Sequence, residues 1–206
     1  MSQASPIFLL SAPRTGSTFV FQTIIDHYKL PYINNLANKY FPTFPELGVF
    51  ARGLIKPKIL KTSSYGKTHG LMQPSEASNV MRKWFSSGHP SQLKSNKVNL
   101  RMKKRAQTSA RLSQTLSNGR PLIVKNTWNC YRVESVIELF PQARFIWLKR
   151  NLQETAVSDL EARYATSGDP TKWNSATPAN VNDLKKYSPA VQVIENQYEI
   201  AKAVKS

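Results

Sequence analysis

Residues 7–23 read Ile-Phe-Leu-Leu-Ser-Ala-Pro-Arg-Thr-Gly-Ser-Thr-Phe-Val-Phe-Gln-Thr. The apolar start of this stretch predicts a buried strand over 6–11, and the helically spaced apolar residues that follow predict a helix over 17–29. The turn between them directs several backbone N–H groups at one spot, where free amides and the positive end of the helix dipole attract an oxyanion. Arg14 adds a full charge and a planar fork of donors. The stretch therefore predicts a loop that binds phosphate or sulfate.

The rest of the chain predicts more strands of the same sheet, separated by helices. The apolar runs at 121–125 and 143–149 each predict a buried strand. The predicted helices lie at about 75–85 with Ser75 as the N-cap, 97–117, 131–140, 151–166 with Asn151 and Glu154 as a capping box, and 190–205. Residues 31–66 and 86–96 are predicted as loops, the first with short helical pieces. This order indicates an α/β fold, a parallel sheet with helices on both faces that binds ligands at the carboxyl ends of its strands.

Length and composition indicate one globular domain over residues 1–206. The chain has 206 residues, of which 40% are hydrophobic, and no apolar run approaches the length that spans a bilayer. Its first residues do not resemble a signal peptide. The single cysteine, Cys130, excludes an internal disulfide and favours a reducing, cytoplasmic location. We expect Cys130 to be a small packing residue rather than a nucleophile, because no catalytic motif surrounds it.

The charge of the chain is strongly positive, with 29 Lys and Arg against 12 Asp and Glu, a formal net charge of +17. No carboxylate occurs between Glu76 and Glu134, whereas the same stretch includes the basic helix predicted over 97–117. Such a surface attracts polyanions, among them nucleic acid, an anionic membrane, an acidic glycan and a charged nucleotide. Charge alone does not choose among them.

The residues at the predicted strand ends favour sulfuryl transfer over phosphoryl transfer. The second strand ends in Lys125-Asn126 and the third in Lys149-Arg150-Asn151, so both bring cations or amides to the edge where Arg14 lies. A phosphate-loop NTPase needs a GxxxxGK[ST] loop and a carboxylate that holds Mg²⁺, and no predicted strand here ends in Asp or Glu. A sulfuryl group carries one negative charge, so cationic side chains can stabilise its transfer without a metal.

Three motifs of the chain resemble those of the nucleotide-dependent sulfotransferases, which use 3′-phosphoadenosine 5′-phosphosulfate. Residues 13–18 resemble the loop that holds the 5′-phosphosulfate, and residues 141–151 with 156–158 resemble the strand, loop and helix that bind the 3′-phosphate. Residues 124–129 are similar to a strand end of microbial and carbohydrate-type members, and residues 65–85 resemble their acceptor-side segment. The resemblance implies the sulfotransferase fold, which is like that of P-loop NTPases.

The resemblance also implies roles for individual residues. The nucleotide would be bound by Arg14, Thr15, Gly16, Ser17, Thr18, Arg150 and Ser158. We expect Ser17 and Thr18 to cap the first helix as well. Arg14 and Lys125 are the predicted catalytic cations, and the base is predicted to be Glu76 or His69, with His27 a weaker candidate. Glu76 also has a structural interpretation, since a carboxylate near a helix start is stabilised by the dipole.

The predicted function is therefore in-line transfer of a sulfuryl group from this nucleotide to an acceptor hydroxyl, without metal. The acceptor is a carbohydrate, an anionic glycan among the candidates, or a small alcohol, and nucleic acid is not the expected partner. Two departures from the family pattern stand out: Asn126 follows Lys125 where familiar cytosolic members have a His base, and we expect the C-terminal part of the family fold to be missing. The alternatives are a basic nucleic-acid-binding protein, a P-loop nucleotide kinase and an inactive homologue.

Overall fold

The computed structural model describes residues 4–85, 98–173 and 175–205. The elements in chain order are β1 (Ile7–Ser11), α1 (Ser17–Tyr28), α2 (Asn35–Tyr40), α3 (Glu46–Ile55), α4 (Ser78–Phe85), α5 (Leu100–Thr115), β2 (Ile123–Lys125), a 3₁₀ helix (Thr127–Tyr131), α6 (Val133–Leu139), β3 (Arg144–Leu148), α7 (Leu152–Ser167), α8 (Val181–Leu184) and α9 (Pro189–Lys205). The loop predicted over 86–96 lies outside the described residues. In the described part of the chain no helix is both long and apolar enough to cross a membrane.

The three strands of the described residues form one parallel sheet in the order β2-β1-β3. Leu9 in the central strand pairs with Lys125 on one side and Ile146 on the other, so the carboxyl ends of all three strands lie at the same edge. The predicted α/β fold with a parallel sheet is confirmed. The third strand is less buried than predicted: Arg144 and Ile146 on one of its faces are exposed, whereas β2, at the other edge of the described sheet, is buried.

Helices cover both faces of the sheet. Successive residues of β1 point to opposite faces and therefore belong to two different core clusters. Phe8 and Leu10 belong to a core cluster that also contains Trp84 of α4 and Ile200 of α9. Leu9 belongs to a second cluster on the other face, which includes residues of α1 such as Phe21 and Ile25. This two-sided burial keeps β1 fixed, and the loop that follows it therefore starts from a rigid position.

The first helix begins at Ser17 because Gly16 has a φ of 80°, a left-handed conformation that glycine adopts without strain. Gly16 is the N-cap, and no side chain caps the helix. The expectation that Ser17 and Thr18 cap α1 is therefore wrong, since both already lie in its first turn. Without a side-chain cap, the N–H groups of that turn stay open toward a ligand.

The helix predicted from Ser75 begins three residues later than expected. The Ser75 hydroxyl accepts a hydrogen bond from the Ala77 amide at 3.1 Å, and the Ser75 amide donates to the Ile33 carbonyl at 2.9 Å. These contacts hold residues 74–77 against the chain after α1, and Ala77 then turns into α4 with a φ of 56°. Tertiary contacts thus override the capping signal at Ser75.

The later helices follow the predictions with smaller differences. The helix predicted over 131–140 corresponds to α6, and the 3₁₀ helix that precedes it, with Arg132 between them, was not predicted. Asn151 caps α7 as predicted, since its Oδ1 accepts from the Glu154 amide at 3.1 Å. The reciprocal half of the capping box is not formed, because the Glu154 carboxylate pairs with Arg150 at 2.9 Å instead.

Candidate functional site

The carboxyl ends of β1, β2 and β3 open into one cleft of about 420 Å³. Arg14 reaches it from the loop after β1, Lys125 from the end of β2 and Arg150 from the segment after β3. Parallel strands bring these positions together although more than a hundred residues separate Arg14 from Lys125. The cleft lies where ligands bind in sheets of this kind.

The loop after β1 has two left-handed residues, Arg14 with a φ of 66° and Gly16 with a φ of 80°. Thr15 between them points into the protein, where its hydroxyl donates to the Ala12 carbonyl at 3.0 Å. The Pro13 carbonyl accepts from Nε2 of the Gln197 side chain of α9 at 3.4 Å, which attaches the loop to that helix. The backbone thus curls around the start of α1, whose first residues line the cleft.

Arg14 is positioned by three contacts from different parts of the chain. Its Nε donates to the Ser158 hydroxyl of α7 at 3.2 Å, and its guanidinium lies over the Tyr65 ring at 5.3 Å from the centroid. Its carbonyl accepts from Nη1 of Arg150 at 3.4 Å. Arg150 also pairs with Glu154, one helical turn further on. These contacts bring the loop predicted for the phosphosulfate and the segment predicted for the 3′-phosphate side by side.

Helix α7, which carries Ser158, is anchored by a buried pair on its inner face. Asp159 and the fully buried Arg163 approach to 3.6 Å, and the Arg163 guanidinium stacks on the Trp173 ring at 4.0 Å and donates to Gln192 of α9 at 3.1 Å. Burial raises the pKa of the Asp159 carboxyl, and the positive charges of Arg163 and Arg14 oppose that shift. The hydrogen bond from Arg163 to Gln192 joins α7 to α9 and thereby helps to position Ser158.

Lys125 lies at the floor of the cleft with a side chain only 4% exposed. Its ammonium donates to the Thr18 hydroxyl at 3.0 Å and forms an ion pair with the Glu76 carboxylate, whose side chain is 39% exposed. The neighbouring Asn126 donates from Nδ2 to the Glu76 carbonyl at 2.7 Å, which fixes the backbone that carries this carboxylate. An ammonium, a hydroxyl and a carboxylate thus stand in contact at the end of β2.

A tight turn at residues 64–67 lies against these groups. Ser64 and Lys67 form a two-residue bridge, and the central residues, Tyr65 and Gly66, have φ values of 48° and 86°. Positive φ at both central positions is typical of a type I′ turn. A Cβ at Gly66 would lie 3.3 Å from the nearer Glu76 carboxylate oxygen and 3.7 Å from the Thr18 hydroxyl. The turn therefore packs closely over the Lys125–Glu76 pair and presents Tyr65 to Arg14.

The cleft is strongly cationic. Among the described residues, its lining has four cationic side chains, those of Arg14, Lys67, Lys125 and Arg150, and a single carboxylate. That carboxylate belongs to Glu76 and is paired with Lys125. An excess of fixed cations beside open helix amides attracts an anion that carries more than one charge. Within residues 4–85, 98–173 and 175–205, no three His, Cys, Asp or Glu side chains come together as metal ligands do.

The structure brings most of the sequence-predicted residues into this cleft and leaves three outside its lining. Those that line it are Arg14, Gly16, Ser17, Thr18, Glu76, Lys125, Arg150 and Ser158. Thr15 is buried behind the loop, so its side chain is not available to a ligand. His69 is exposed and does not line the cleft, and His27 is exposed on α1 with its ring against Tyr28.

Sequence reasoning missed the aromatic side chains of the rim and the pairing of the candidate base. Phe19, Tyr65 and Trp128 line the cleft, and none of them was singled out as a site residue. The Tyr65-Gly66 dipeptide between Ser and Lys was a usable turn signal, because Gly at the second central position suits a type I′ turn. No local pattern predicts that Glu76 meets Lys125.

Comparisons with known proteins identify the family. The family model described as "Sulfotransferase family" matches residues 6–203. Among solved structures, the crystal structure of sulfotransferase STF9 from Mycobacterium avium is similar in fold, with a TM-score of 0.50 and 11% identity. The similarity covers 100% of this chain, which spans 56% of the length of that one. No curated protein matches. With a family match over nearly its whole length, the chain belongs to the sulfotransferase family.

Proposed function

We propose that this protein transfers a sulfuryl group from 3′-phosphoadenosine 5′-phosphosulfate to an acceptor hydroxyl in the strand-end cleft, and that residues 1–206 fold as one domain. The observation that carries the proposal is that Arg14 and Arg150 line the same cleft and are joined by a hydrogen bond of 3.4 Å. The nucleotide has two anionic ends, and the chain offers two cationic groups for them at adjacent positions. The one cysteine, buried and unpaired, supports a cytoplasmic location.

The residues of the cleft fit such a nucleotide in their chemistry. Arg14 and the first amides of α1 offer charge and directed donors to one anionic end. Arg150 and the Ser158 hydroxyl are the corresponding donors for the 3′-phosphate. Thr15 contributes through its backbone, since its hydroxyl is bonded to the Ala12 carbonyl. When bound, the nucleotide supplies the sulfuryl group and is released as adenosine 3′,5′-bisphosphate.

We assign the charge-stabilising role to Arg14 and Lys125. Negative charge develops on the oxygen that leaves the sulfur, and a buried ammonium lowers the barrier more than an exposed one because fewer water molecules screen it. Lys125 is nearly fully buried and is held by Thr18, so its position does not depend on the ligand. The transfer would proceed without a metal ion.

Glu76 is the proposed general base. Its carboxylate lines the cleft and is partly exposed, so an acceptor hydroxyl can reach it and give up its proton as the new oxygen–sulfur bond forms. His69 is not placed to do this, because it does not line the cleft. A carbohydrate acceptor suits the aromatic rim of Phe19, Tyr65 and Trp128, and an anionic glycan would also face Lys67.

A transfer assay tests this function. The protein is incubated with the donor nucleotide and a panel of acceptors, which are neutral sugars, an anionic glycan and small alcohols. Release of adenosine 3′,5′-bisphosphate and the mass of the sulfated product are measured. We expect product with at least one acceptor and a loss of about a hundredfold or more in Arg14→Ala, while Arg120→Ala, an exposed arginine outside the cleft, keeps the rate. Undiminished transfer by Arg14→Ala contradicts the assignment, and nucleotide binding without transfer to any acceptor favours an inactive homologue.

A further inference from the structure

Helix α3 presents apolar side chains to solvent, the reverse of an ordinary surface helix. Leu47, Phe50 and Leu54 are 46%, 51% and 71% exposed. They are spaced three and four residues apart, so they lie on one face of the helix. Gly48 and Val49, on the other side, are buried. We call the surface formed by Phe44, Leu47, Phe50 and Leu54 the α3 face; Phe44 lies just before the helix and is 57% exposed.

The rotation of α3 is fixed by contacts on its inner side. Asn34 donates from Nδ2 to the Gly48 carbonyl at 2.9 Å, and a Cβ at Gly48 would come within 2.5 Å of Ala37. The Arg52 guanidinium lies over the ring of the buried Tyr32, 4.7 Å from the centroid. A turn of the helix that buried Phe50 would break these contacts. The outward direction of the α3 face is therefore a property of the fold.

The charges around the α3 face are almost all positive. Residues 27–75 contain seven Lys and Arg and one carboxylate, that of Glu46. Lys29 and Lys61 pair with Asp26. The chain next to α3 carries further cations at Lys39, Lys56 and Lys58, for which no carboxylate partner occurs among the described residues.

We propose that the α3 face docks on an anionic lipid bilayer. An exposed stripe of Phe and Leu beside lysines is the pattern of a helix that lies in the membrane interface, where apolar side chains enter the acyl boundary and cations meet the headgroups. A second copy of the chain is a poorer partner, because it would bring the same positive charge to the contact. A patch that joins apolar and cationic groups is complementary to anionic lipid in both respects.

A second exposed apolar region shows why charge decides the partner. The groove between α7 and α9 is also apolar, but Glu161 lies in its lining and Glu154 and Glu195 are exposed on the same two helices. Carboxylates at an anionic surface are repelled, so this groove is not expected to bind the same vesicles. Its exposed side chains therefore provide a matched control.

Co-sedimentation with vesicles tests the proposal. The full chain is mixed with phosphatidylcholine vesicles, either pure or with about 30% phosphatidylserine. We expect binding to the anionic vesicles, little to the neutral ones, and weakening with added salt. The triple variant Leu47→Ser/Phe50→Ser/Leu54→Ser should bind the anionic vesicles about tenfold more weakly or worse. The control Tyr164→Ser/Ile194→Ser/Tyr198→Ser on α7 and α9 should bind as the unmodified chain does.

A charge variant and a mass measurement complete the test. Lys56→Glu/Lys58→Glu keeps the apolar side chains and should lose at least about tenfold in affinity for the anionic vesicles. The proposal would be overturned if the triple serine variant bound the anionic vesicles as tightly as the wild type does. It would also be overturned if the wild type bound both vesicle types equally or bound neither of them. A dimer in light scattering that the triple variant alone abolishes would also overturn it, because a second copy would then cover the α3 face. Circular dichroism confirms that each variant is folded.

Discussion

At the scale of single residues, Lys125 has a buried side chain that two neighbours hold in place. A buried ammonium is stable in a protein only when hydrogen bonds or an opposite charge compensate for lost water, and Thr18 and Glu76 supply both. Removal of the Glu76 side chain would leave this charge without its partner. A test of Glu76 as base must therefore keep the shape and one acceptor oxygen of the side chain.

Glu76→Gln meets that requirement. We expect the turnover number to fall by about a hundredfold or more, because the amide cannot take a proton from the acceptor. Binding of adenosine 3′,5′-bisphosphate should remain, since the amide oxygen can still accept from Lys125. Steady-state kinetics and titration calorimetry separate the two effects, and His69→Gln is measured beside it as the competing candidate. A large loss in His69→Gln with normal turnover in Glu76→Gln would reverse the assignment.

Single residues of the cleft were predictable where the topology alone brings them together. Arg14, Lys125 and Arg150 lie at or just after the carboxyl ends of three different strands. The carboxyl ends of parallel strands share one edge of the sheet whatever the details of packing. Glu76 was a candidate from its sequence context, but its contact with Lys125 joins positions 49 residues apart. Such a contact arises from tertiary packing before α4, which no local pattern encodes. His69 carries a plausible chemistry in sequence, yet it is exposed and does not line the cleft.

At the scale of elements, the turn at residues 64–67 is the part of the acceptor side that the fold places most tightly. Gly66 combines a positive φ with close approach to Glu76 and Thr18, whereas Gly119 has a similar φ of 79° and nothing within 4 Å of its Cβ position. Substitutions at these two glycines therefore distinguish the effect of backbone strain from the effect of contact with the site.

Gly66→Ala and Gly119→Ala form a matched pair. Each should lower the free energy of unfolding by about 1 kcal/mol, because alanine is strained in the left-handed region. Gly66→Ala should in addition reduce turnover severalfold, since its methyl group presses on the Glu76 carboxylate, and Gly119→Ala should not. Urea unfolding and the transfer assay measure these effects. Equal turnover in the two variants would show that the turn does not position the base.

Elements were predictable where hydrophobic period and local signals agree. The strand at Ile7–Ser11, helices α1, α5, α7 and α9 and the Asn151 cap follow from the pattern of residues and were close to the structure. Helix α3, in contrast, lies in a stretch predicted as loop with short helical pieces. Predictions were poorer where tertiary contacts dominate, as at Ser75, whose capping signal is overridden by hydrogen bonds to Ile33 and within the segment. The exposed side of β3 was also missed, because an apolar run does not reveal which face of its strand a helix will cover.

At the scale of the whole molecule, the core joins the sheet to the 3₁₀ helix through Cys130. The thiol is fully buried and donates to the Ser11 carbonyl at 3.3 Å. Burial raises the pKa of Cys130 from 9.0 to about 12. The folded chain thus keeps a proton between about pH 9 and pH 12 that the unfolded chain releases, and stability falls as pH rises through this window.

Cys130→Ser removes this titration while it keeps a donor for the Ser11 carbonyl. Urea unfolding of both proteins from about pH 8 to about pH 10.5 should show a steeper loss in the wild type, by up to about 1.4 kcal/mol per pH unit above pH 9. Effects of lysine and tyrosine titration are common to both proteins and cancel in the difference. Parallel curves would mean that the thiol is accessible in the folded protein, against the burial seen in the structure.

The proposed function requires that the cleft bind a nucleotide through two arginines from distant parts of the chain. Calorimetric titration with adenosine 3′,5′-bisphosphate, with and without Mg²⁺, measures this directly in the wild type, Arg14→Ala, Arg150→Ala and the control Arg144→Ala at the other end of β3. We predict a dissociation constant of roughly micromolar size that Mg²⁺ does not change, weakened about tenfold to a hundredfold in each cleft variant and unchanged in the control. No binding by the wild type, or wild-type affinity in both cleft variants, would contradict the account.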